Sequence, residues 1–580
     1  MLAGFATMVV PVTVSNRHIA AMTIQMKVGA LTETVTVTSG TPVPSQARMA
    51  GGVPGGTVGA AINGLPPAPP PPGSPAPQYI YERHQYDLYR DGLVPRPRDT
   101  ASYATIIENK FQSAREHPLS TFSIDVDTAS YTNVRRFLND GVLPPSDAVR
   151  LEEMINYFKY DYPDPKGETP VSITTEFAVT PWNPKTRLAL VGMRAKPIAM
   201  EKTPPRNLTF LLDVSGSMTP HNRLPLVKTA MQMLVDTLRE EDRVAIVVYA
   251  GNSGIVLRPT DGGHRAEIKR AIEDLRAGGS TNGAAGIQLA YDLAAENFVK
   301  DGINRVILAT DGDFNVGVTS REDLLQLIER KRERGIFLSV LGVGDNNLKD
   351  STMEMLADKG NGNYSYLDSI QEARRVLIAE AGSTLVTVAK DVKLQIEFNP
   401  HVVEAYRLIG YENRLLRKED FNNDRKDAGD VGAGHTVTAL YELVPAGETV
   451  PGGVDPLKYQ PNPEPPARST TAVNTSELMH IKVRYKAPDG DTSRLLEFPV
   501  RTPTPRMTQN LGFASAVAEF GLLLRNSEYK GSASWDAVVA RAREHRGDDP
   551  DGYRAEFVRL VNVAAALGNK RGTSEPDLRR

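Results

Sequence analysis

Between residues 205 and 372 short, uninterrupted apolar runs alternate with segments whose apolar positions recur every three or four residues. The runs LTFLLDV, DRVAIVVYA, IVLRPT, NRVILAT, IFLSVLGVG and NYSYL read as strands, and 222–239, 264–276, 283–299, 320–334 and 350–358 read as helices between them. Strands alternating with helices of about 10–15 residues predict an α/β fold, a doubly wound and mostly parallel sheet covered on both faces. On either side of this segment the period changes to two. VSITTEFAVTPWNPKTRLALVGMRAK (171–196) reads as two strands around a Trp182–Pro184 turn. VAKDVKLQIEF, VVEAYRLIGY, HTVTALYELV and HIKVRYKAP follow from 384 onward, with a Pro-rich loop at 451–466. Neither flank alone has enough strands for a two-layer core. The flanks are therefore expected to build one antiparallel β-sandwich, with the α/β segment inserted in it.

The remaining patterns are simpler. Residues 106–158 read as a strand followed by helices at Ser130–Leu138 and Ser146–Phe158, and 508–567 contain helices such as FASAVAEFGLLLRNS and EFVRLVNVAAAL. Residues 5–38 alternate with period two, and GLPPAPPPPGSPAPQ marks a polyproline II linker without core-forming residues. The run VGALTETVTVTSGTP resembles the last strands of carboxypeptidase-regulatory-like β-modules, so the chain is expected to begin inside a longer gene product.

Composition narrows the chemistry. A net charge of −3, from 67 basic and 70 acidic residues in 580, gives no electrostatic reason to expect nucleic acid. The absence of cysteine removes disulfides, thiolate nucleophiles and zinc–thiolate sites. There is no apolar run of about 18 residues, so no spanning helix is expected. The apolar start has Pro11 in its core and no basic residues before it, which reads poorly as a signal peptide.

The candidate chemistry lies where two apolar strands end. LTFLLDVSGSM closes with Asp213, Ser215 and Ser217; GGSTNGAAGI carries Thr281 in a Gly-rich turn; RVILATDGDFN places Asp311 at the end of a second strand. Carboxylate and hydroxyl oxygens are hard donors suited to Mg²⁺, Mn²⁺ or Ca²⁺. In a doubly wound sheet, ligands collect beyond the carboxyl ends of the strands at the switch point. Gly216 and Gly279 are expected to keep the turns free of Cβ where backbone approaches the ion. Singly, Asp213 and Ser215 would also suit a helix cap, Thr281 another, and Asp311 a turn before Gly312.

These five residues in this order resemble the metal-ion-dependent adhesion site of von Willebrand factor type A (VWA) domains. The resemblance implies that Ser215 and Ser217 ligate Mg²⁺ (or Mn²⁺ or Ca²⁺) directly, Thr281 directly or through water, and Asp213 and Asp311 largely through water. It leaves the sixth position to a Glu or Asp of a bound protein. Asp313 and Asn315 are expected on the rim. Residues 106–567 together resemble bacterial envelope proteins of the YfbK type. The expected divisions are a partial β-module (1–40), a Pro-rich disordered linker (41–105), and a VWA-associated N-terminal region with strands (106–200). A VWA domain (205–372), a C-terminal β plus helical domain (384–567) and a tail (568–580) follow. The helix expected over 369–382 leads into the C-terminal β-module and corresponds to the helix that shifts in VWA domains when a partner binds.

The reading that follows is a noncatalytic, metal-dependent protein-binding module in the periplasm, cell envelope or extracellular space, binding a partner that presents Asp or Glu and no nucleic acid. A cytosolic VWA adaptor of a separate ATPase is an alternative, since the chain has no GxxxxGK[ST] loop of its own. A third is a phosphatase-like enzyme. FSIDVDTAS places Asp125 and Asp127 after an apolar strand, like the nucleophile loop of haloacid-dehalogenase phosphatases. Against it, Ala129 stands where Thr or Val is expected, and Asp125 and Asp127 are expected instead to cap the helix at Ser130 or pair with Arg135 and Arg136.

Overall fold

The computed structural model describes residues 101–572 except 200–201, 251–252, 280–282, 313–320, 346–347, 380–385, 425, 427, 452–475 and 503. The β-module expected at 1–40, nearly all of the linker, Thr281, Asp313, Asn315, most of the Pro-rich loop and the last residues of the tail lie outside the described residues. All described residues belong to one compact unit.

The chain opens with β1 (Gln112–Ser113), β2 (Leu119–Ser123), α1 (Ala129–Asn139), α2 (Leu151–Asn156), β3 (Val171–Thr180) and β4 (Asn183–Ala195). The α/β segment follows: β5 (Arg206–Asp213), α3 (Leu224–Val235), β6 (Arg243–Tyr249), β7 (Ser253–Asp261), α4 (Arg265–Glu273), α5 (Gly283–Glu296), β8 (Ile303–Thr310), α6 (Arg321–Glu333), β9 (Ile336–Val343), α7 (Asp350–Lys359), β10 (Tyr364–Leu367) and α8 (Ile370–Arg374). The chain then returns through β11 (Thr387–Phe398), β12 (Val403–Ile409), β13 (Val431–Gly432), β14 (Thr436–Pro445), β15 (Glu477–Lys486) and β16 (Ser493–Arg501). It ends with α9 (Gln509–Arg525), α10 (Trp535–Glu544) and α11 (Tyr553–Gly572).

The inserted sheet runs β10-β9-β8-β5-β6-β7, parallel throughout except that β7 pairs antiparallel to β6. Residues along β5 point alternately to its two faces. Leu208, Phe210 and Leu212 pack with Leu224 of α3, Ile268 of α4 and Ala373 of α8. Leu211 packs with Ile287 of α5, Leu324 of α6 and Met353 of α7. Connections from β5 run to β6 on one side and from the far edge back to β8 on the other, so the switch point lies at β5 and β8.

The flanks do form one sandwich. β4 pairs with β14 and β3, β14 with β12, and β12 with β1. The second sheet runs β13-β11-β15-β16, with β2 on β11. Along β4, Ala189, Val191 and Met193 face the second sheet. Leu188 and Leu190 face a helical layer that includes Tyr131 of α1, Met154 of α2, Phe513 of α9 and Phe557 of α11. Both faces of this sheet are therefore covered, one by strands and one by helices.

Two expected helices differ. The helix expected over Ser146–Phe158 is a 3₁₀ turn at Ser146–Ala148 followed by the short α2, with extended backbone at Arg150. The Ser130 hydroxyl accepts from Arg150 N (2.8 Å) and donates to the Ala148 carbonyl (2.7 Å), taking the bonds a continuous helix would need. The helix expected over 369–382 is α-helical only through Arg374, then takes a π turn at Arg375–Ala379. There Arg375 is drawn to Glu372 and to the Thr128 hydroxyl.

Three buried arginines from outside the inserted segment tie it down. Arg135 bonds Asp368 (2.5 Å) and Glu372 (2.8 Å), Arg150 bonds Asp350 (2.6 Å), and Arg414 bonds Asp358 (2.7 Å) and Glu354 (3.0 Å). Asp125 and Asp127 join this last group, in place of the roles expected for them. Asp127 accepts from Tyr364 N (2.8 Å), and Arg414 lies 3.3 Å from Asp127 and 4.0 Å from Asp125. Helix α1 has no side-chain cap at Thr128, and the carboxylate that meets its Ser130 N–H is Glu153 (2.8 Å). The two aspartates follow β2, an antiparallel partner of β11, and not a strand of the parallel sheet a haloacid-dehalogenase site requires.

Candidate metal centre

Strand β5 is buried along its whole length and delivers Asp213, fully buried, at its carboxyl end. The chain then turns sharply. Ser215 N donates to Asp213 Oδ1 (2.9 Å), and a 3₁₀ turn at Gly216–Met218 brings the Ser215 and Ser217 hydroxyls to 2.9 Å from each other. Neither Asp213 nor Ser215 caps a helix: the N-cap of α3 is Arg223, and Ser215 makes no side-chain cap bond to the 3₁₀ turn.

Two neighbouring strands complete the floor. Tyr249, the last residue of β6, donates its hydroxyl to Asp213 Oδ2 (3.3 Å), and so does Thr310, the last residue of β8 (3.3 Å). Burial pushes the Asp213 carboxyl above its ordinary range, against the opposing pull of its hydrogen bonds from Ser215. Asp311 follows Thr310 directly and is 1% exposed. The 278–279 turn is pinned alongside by Gly216 N to the Gly279 carbonyl (3.0 Å) and Gly278 N to the Val214 carbonyl (2.7 Å). Gly279 has φ +89°, which requires glycine. A Cβ on Gly216 would meet only the Gly279 carbonyl at 3.6 Å, an ordinary contact with the protein itself.

Of the five predicted residues, four thus converge at the carboxyl ends of β5 and β8, and Thr281 lies outside the described residues. Sequence reasoning missed Arg223. Its Nη1 donates to the Ser217 carbonyl (2.8 Å) and to Asp311 Oδ2. A cation at the amino end of a helix opposes the helix dipole, which was the one available sign that it had a carboxylate elsewhere. The second Asp311 oxygen, Oδ1, is buried with no hydrogen-bond partner among the described residues.

Among the described residues no group of three or more His, Cys, Asp or Glu is placed to hold a metal. The donor set is of another kind, two carboxylates with hydroxyls. Such a set suits a small hard cation that keeps part of its water shell, and an orphaned buried carboxylate oxygen within it fits that donor role.

Residues 207–377 match the von Willebrand factor type A domain model, 97–190 a von Willebrand factor model, and 383–567 the "Uncharacterized protein YfbK, C-terminal" model. The chain is 47% identical over 472 residues to "Uncharacterized protein YfbK" of Escherichia coli (strain K12), covering 80% of this chain and 81% of that one. The chain belongs to the YfbK family. "Uncharacterized protein sll0103" of Synechocystis sp. is 31% identical over 183 residues, 32% of this chain and 42% of that protein. Among solved structures, von Willebrand factor type A from Catenulispora acidiphila covers 68% of this chain and 89% of its own, at 16% identity and a TM-score of 0.38. VWA domains are protein-interaction modules that often carry a metal-ion-dependent adhesion site. Among the described residues no helix is long and apolar enough to cross a membrane.

Proposed function

We propose that this chain is a noncatalytic binding module of the bacterial cell envelope that engages an acidic side chain of a protein partner through a divalent cation. Asp213, Ser215, Ser217 and Asp311 would hold the cation, with Thr281 as the fifth residue by its place in the VWA motif. Mg²⁺ fits this donor set, and Mn²⁺ and Ca²⁺ accept the same oxygens. When bound, the ion supplies a hard Lewis-acidic position to which an outside carboxylate can bind.

The observation that carries this reading is the convergence of two hydroxyls and two buried carboxylates at the switch point, with Asp311 Oδ1 unpartnered among the described residues. The protein's own residues do the rest. Tyr249 and Thr310 fix the orientation of Asp213 from neighbouring strands. The backbone of the 278–279 turn holds the serine loop in place. Few charges come from the protein, so the centre retains appetite for an external anion.

The test is Mn²⁺ calorimetry on the full chain. Asp213→Ala removes the carboxylate that orients the serine loop, and is expected to lower Mn²⁺ affinity by about 100-fold, the upper end of losses seen when ligand-orienting residues are removed. Wild-type affinity in the folded variant would overturn the assignment.

A further inference from the structure

The Arg223–Asp311 pair is a built feature. Arg223 is 8% exposed, and its guanidinium is held between the Ser217 carbonyl and Asp311. The loop after β9 leaves room for it. Gly344 has φ +81°, and a Cβ there would collide with the guanidinium. That loop is in turn fixed, since Tyr366 donates its hydroxyl to the Gly344 carbonyl (2.7 Å) and Arg136 Nη1 to the Asp345 carbonyl (3.0 Å). On the side away from Asp311, Arg223 Nη2 lies 4.0 Å from Asp345 Oδ1, whose side chain is 41% exposed. The guanidinium therefore stands between two carboxylates, one buried in the centre and one at its solvent edge.

The geometry points to Arg223 as the residue that makes cation binding and acidic-ligand binding depend on each other. This rests on the metal-dependent reading above and names what sets its specificity. Asp213, Asp311 and Arg223 together carry one net negative charge. A divalent ion turns that into one positive charge, and a single incoming carboxylate returns it to zero. Without the guanidinium the ion alone would balance the two aspartates, and a carboxylate would arrive at a neutral centre. Asp345 is solvent-screened and adds little to this balance. In a site of low dielectric, such differences weigh heavily. Arg223 also holds Asp311 Oδ2, so that Oδ1 is the Asp311 oxygen left to a cation, while Asp345 approaches the guanidinium from its solvent edge. The empty centre thus binds a cation weakly, and the cation and carboxylate together bind well.

The experiment measures Mn²⁺ affinity of the full chain by calorimetry, with and without acetate at constant ionic strength, for wild type, R223Q, R223K and D213A. Expected for R223Q is Mn²⁺ affinity about tenfold higher without acetate, within the range of ordinary coupling between sites, and no further gain when acetate is added. In wild type acetate should strengthen Mn²⁺ binding. R223K keeps the charge and should keep the acetate effect, which also serves as the test if R223Q does not fold. Acetate effects that are the same in wild type and R223Q, or absent in wild type, overturn the role of Arg223 while D213A still loses Mn²⁺; so does an R223K variant that loses the effect. Mn²⁺ binding that is absent in wild type, or unchanged in D213A, overturns the metal reading itself.

Discussion

Two buried arginines sit among carboxylates at opposite ends of the inserted sheet. Arg223, at the carboxyl ends of β5 and β8, meets Asp311 and approaches Asp345. Arg414, near the amino end of β10, gathers Asp125, Asp127, Glu354 and Asp358. The second cluster is richer in acid and lines a cleft of about 540 Å³, so charge and concavity alone would select it as the binding site. Its oxygens are spent, however. Asp127 is held by the Tyr364 amide, Glu354 also accepts from Asn413 (2.7 Å), and Arg414 bridges the 125–127 segment and helix α7. The Arg223 centre has fewer acids but adds two paired hydroxyls and a carboxylate oxygen with no partner among the described residues. The contrast separates a junction, where carboxylates satisfy an arginine, from a centre, where donors remain over.

Breaking each cluster should give opposite signatures. Arg414→Ala would leave four carboxylates around a missing cation, and removal of one partner from a buried ionic group costs about 3–5 kcal/mol. A fall of that size in urea-denaturation stability is expected, with Mn²⁺ affinity unchanged. Lost Mn²⁺ affinity with little loss of stability would reverse the two assignments. A smaller effect comes from ligand linkage: Mg²⁺ at 100 times its dissociation constant should stabilise wild type by about 2.7 kcal/mol. The increment should persist in a folded Arg414 variant and vanish in Asp213→Ala. An equal increment in Asp213→Ala would place the ion elsewhere.

Much of this was legible from local pattern. Runs such as LTFLLDV and NRVILAT are buried on both sides and end where the candidate carboxylates sit, because a parallel strand covered by helices has no polar face. The insertion was legible because period-two strands on both flanks needed each other. What could not be read were pairings between residues far apart in the chain. Asp127 and Arg414 are 287 positions apart, and Arg223 and Asp311 are 88 apart. Nothing in FSIDVDTAS marks its partner, and a cation at the start of α3 signals a carboxylate without naming which one. The break between Ser146 and Phe158 failed for the same reason: it depends on the Ser130 hydroxyl, which only the folded chain brings there.

The smallest expected effect is a pH dependence that belongs to the Arg414 cluster. Burial, with the Asp125 charge next in importance, pushes the Asp358 carboxyl up to about 6 from an ordinary 3.8, despite the pull of Arg414. A carboxyl with a raised folded-state pKa holds its proton more tightly when folded. Its contribution to stability is therefore complete below pH 3.8 and is lost as pH rises through about 6. Asp358 shares this titration with Asp125, so part of the cost passes to Asp125 when Asp358 is removed. Asp358→Asn cannot ionise and keeps an amide of the same shape. Relative to wild type it should gain about 1–2 kcal/mol between pH 4 and 7.5, read from urea midpoints across that range. Parallel curves for the two proteins would mean that the cluster is already compensated by Arg414.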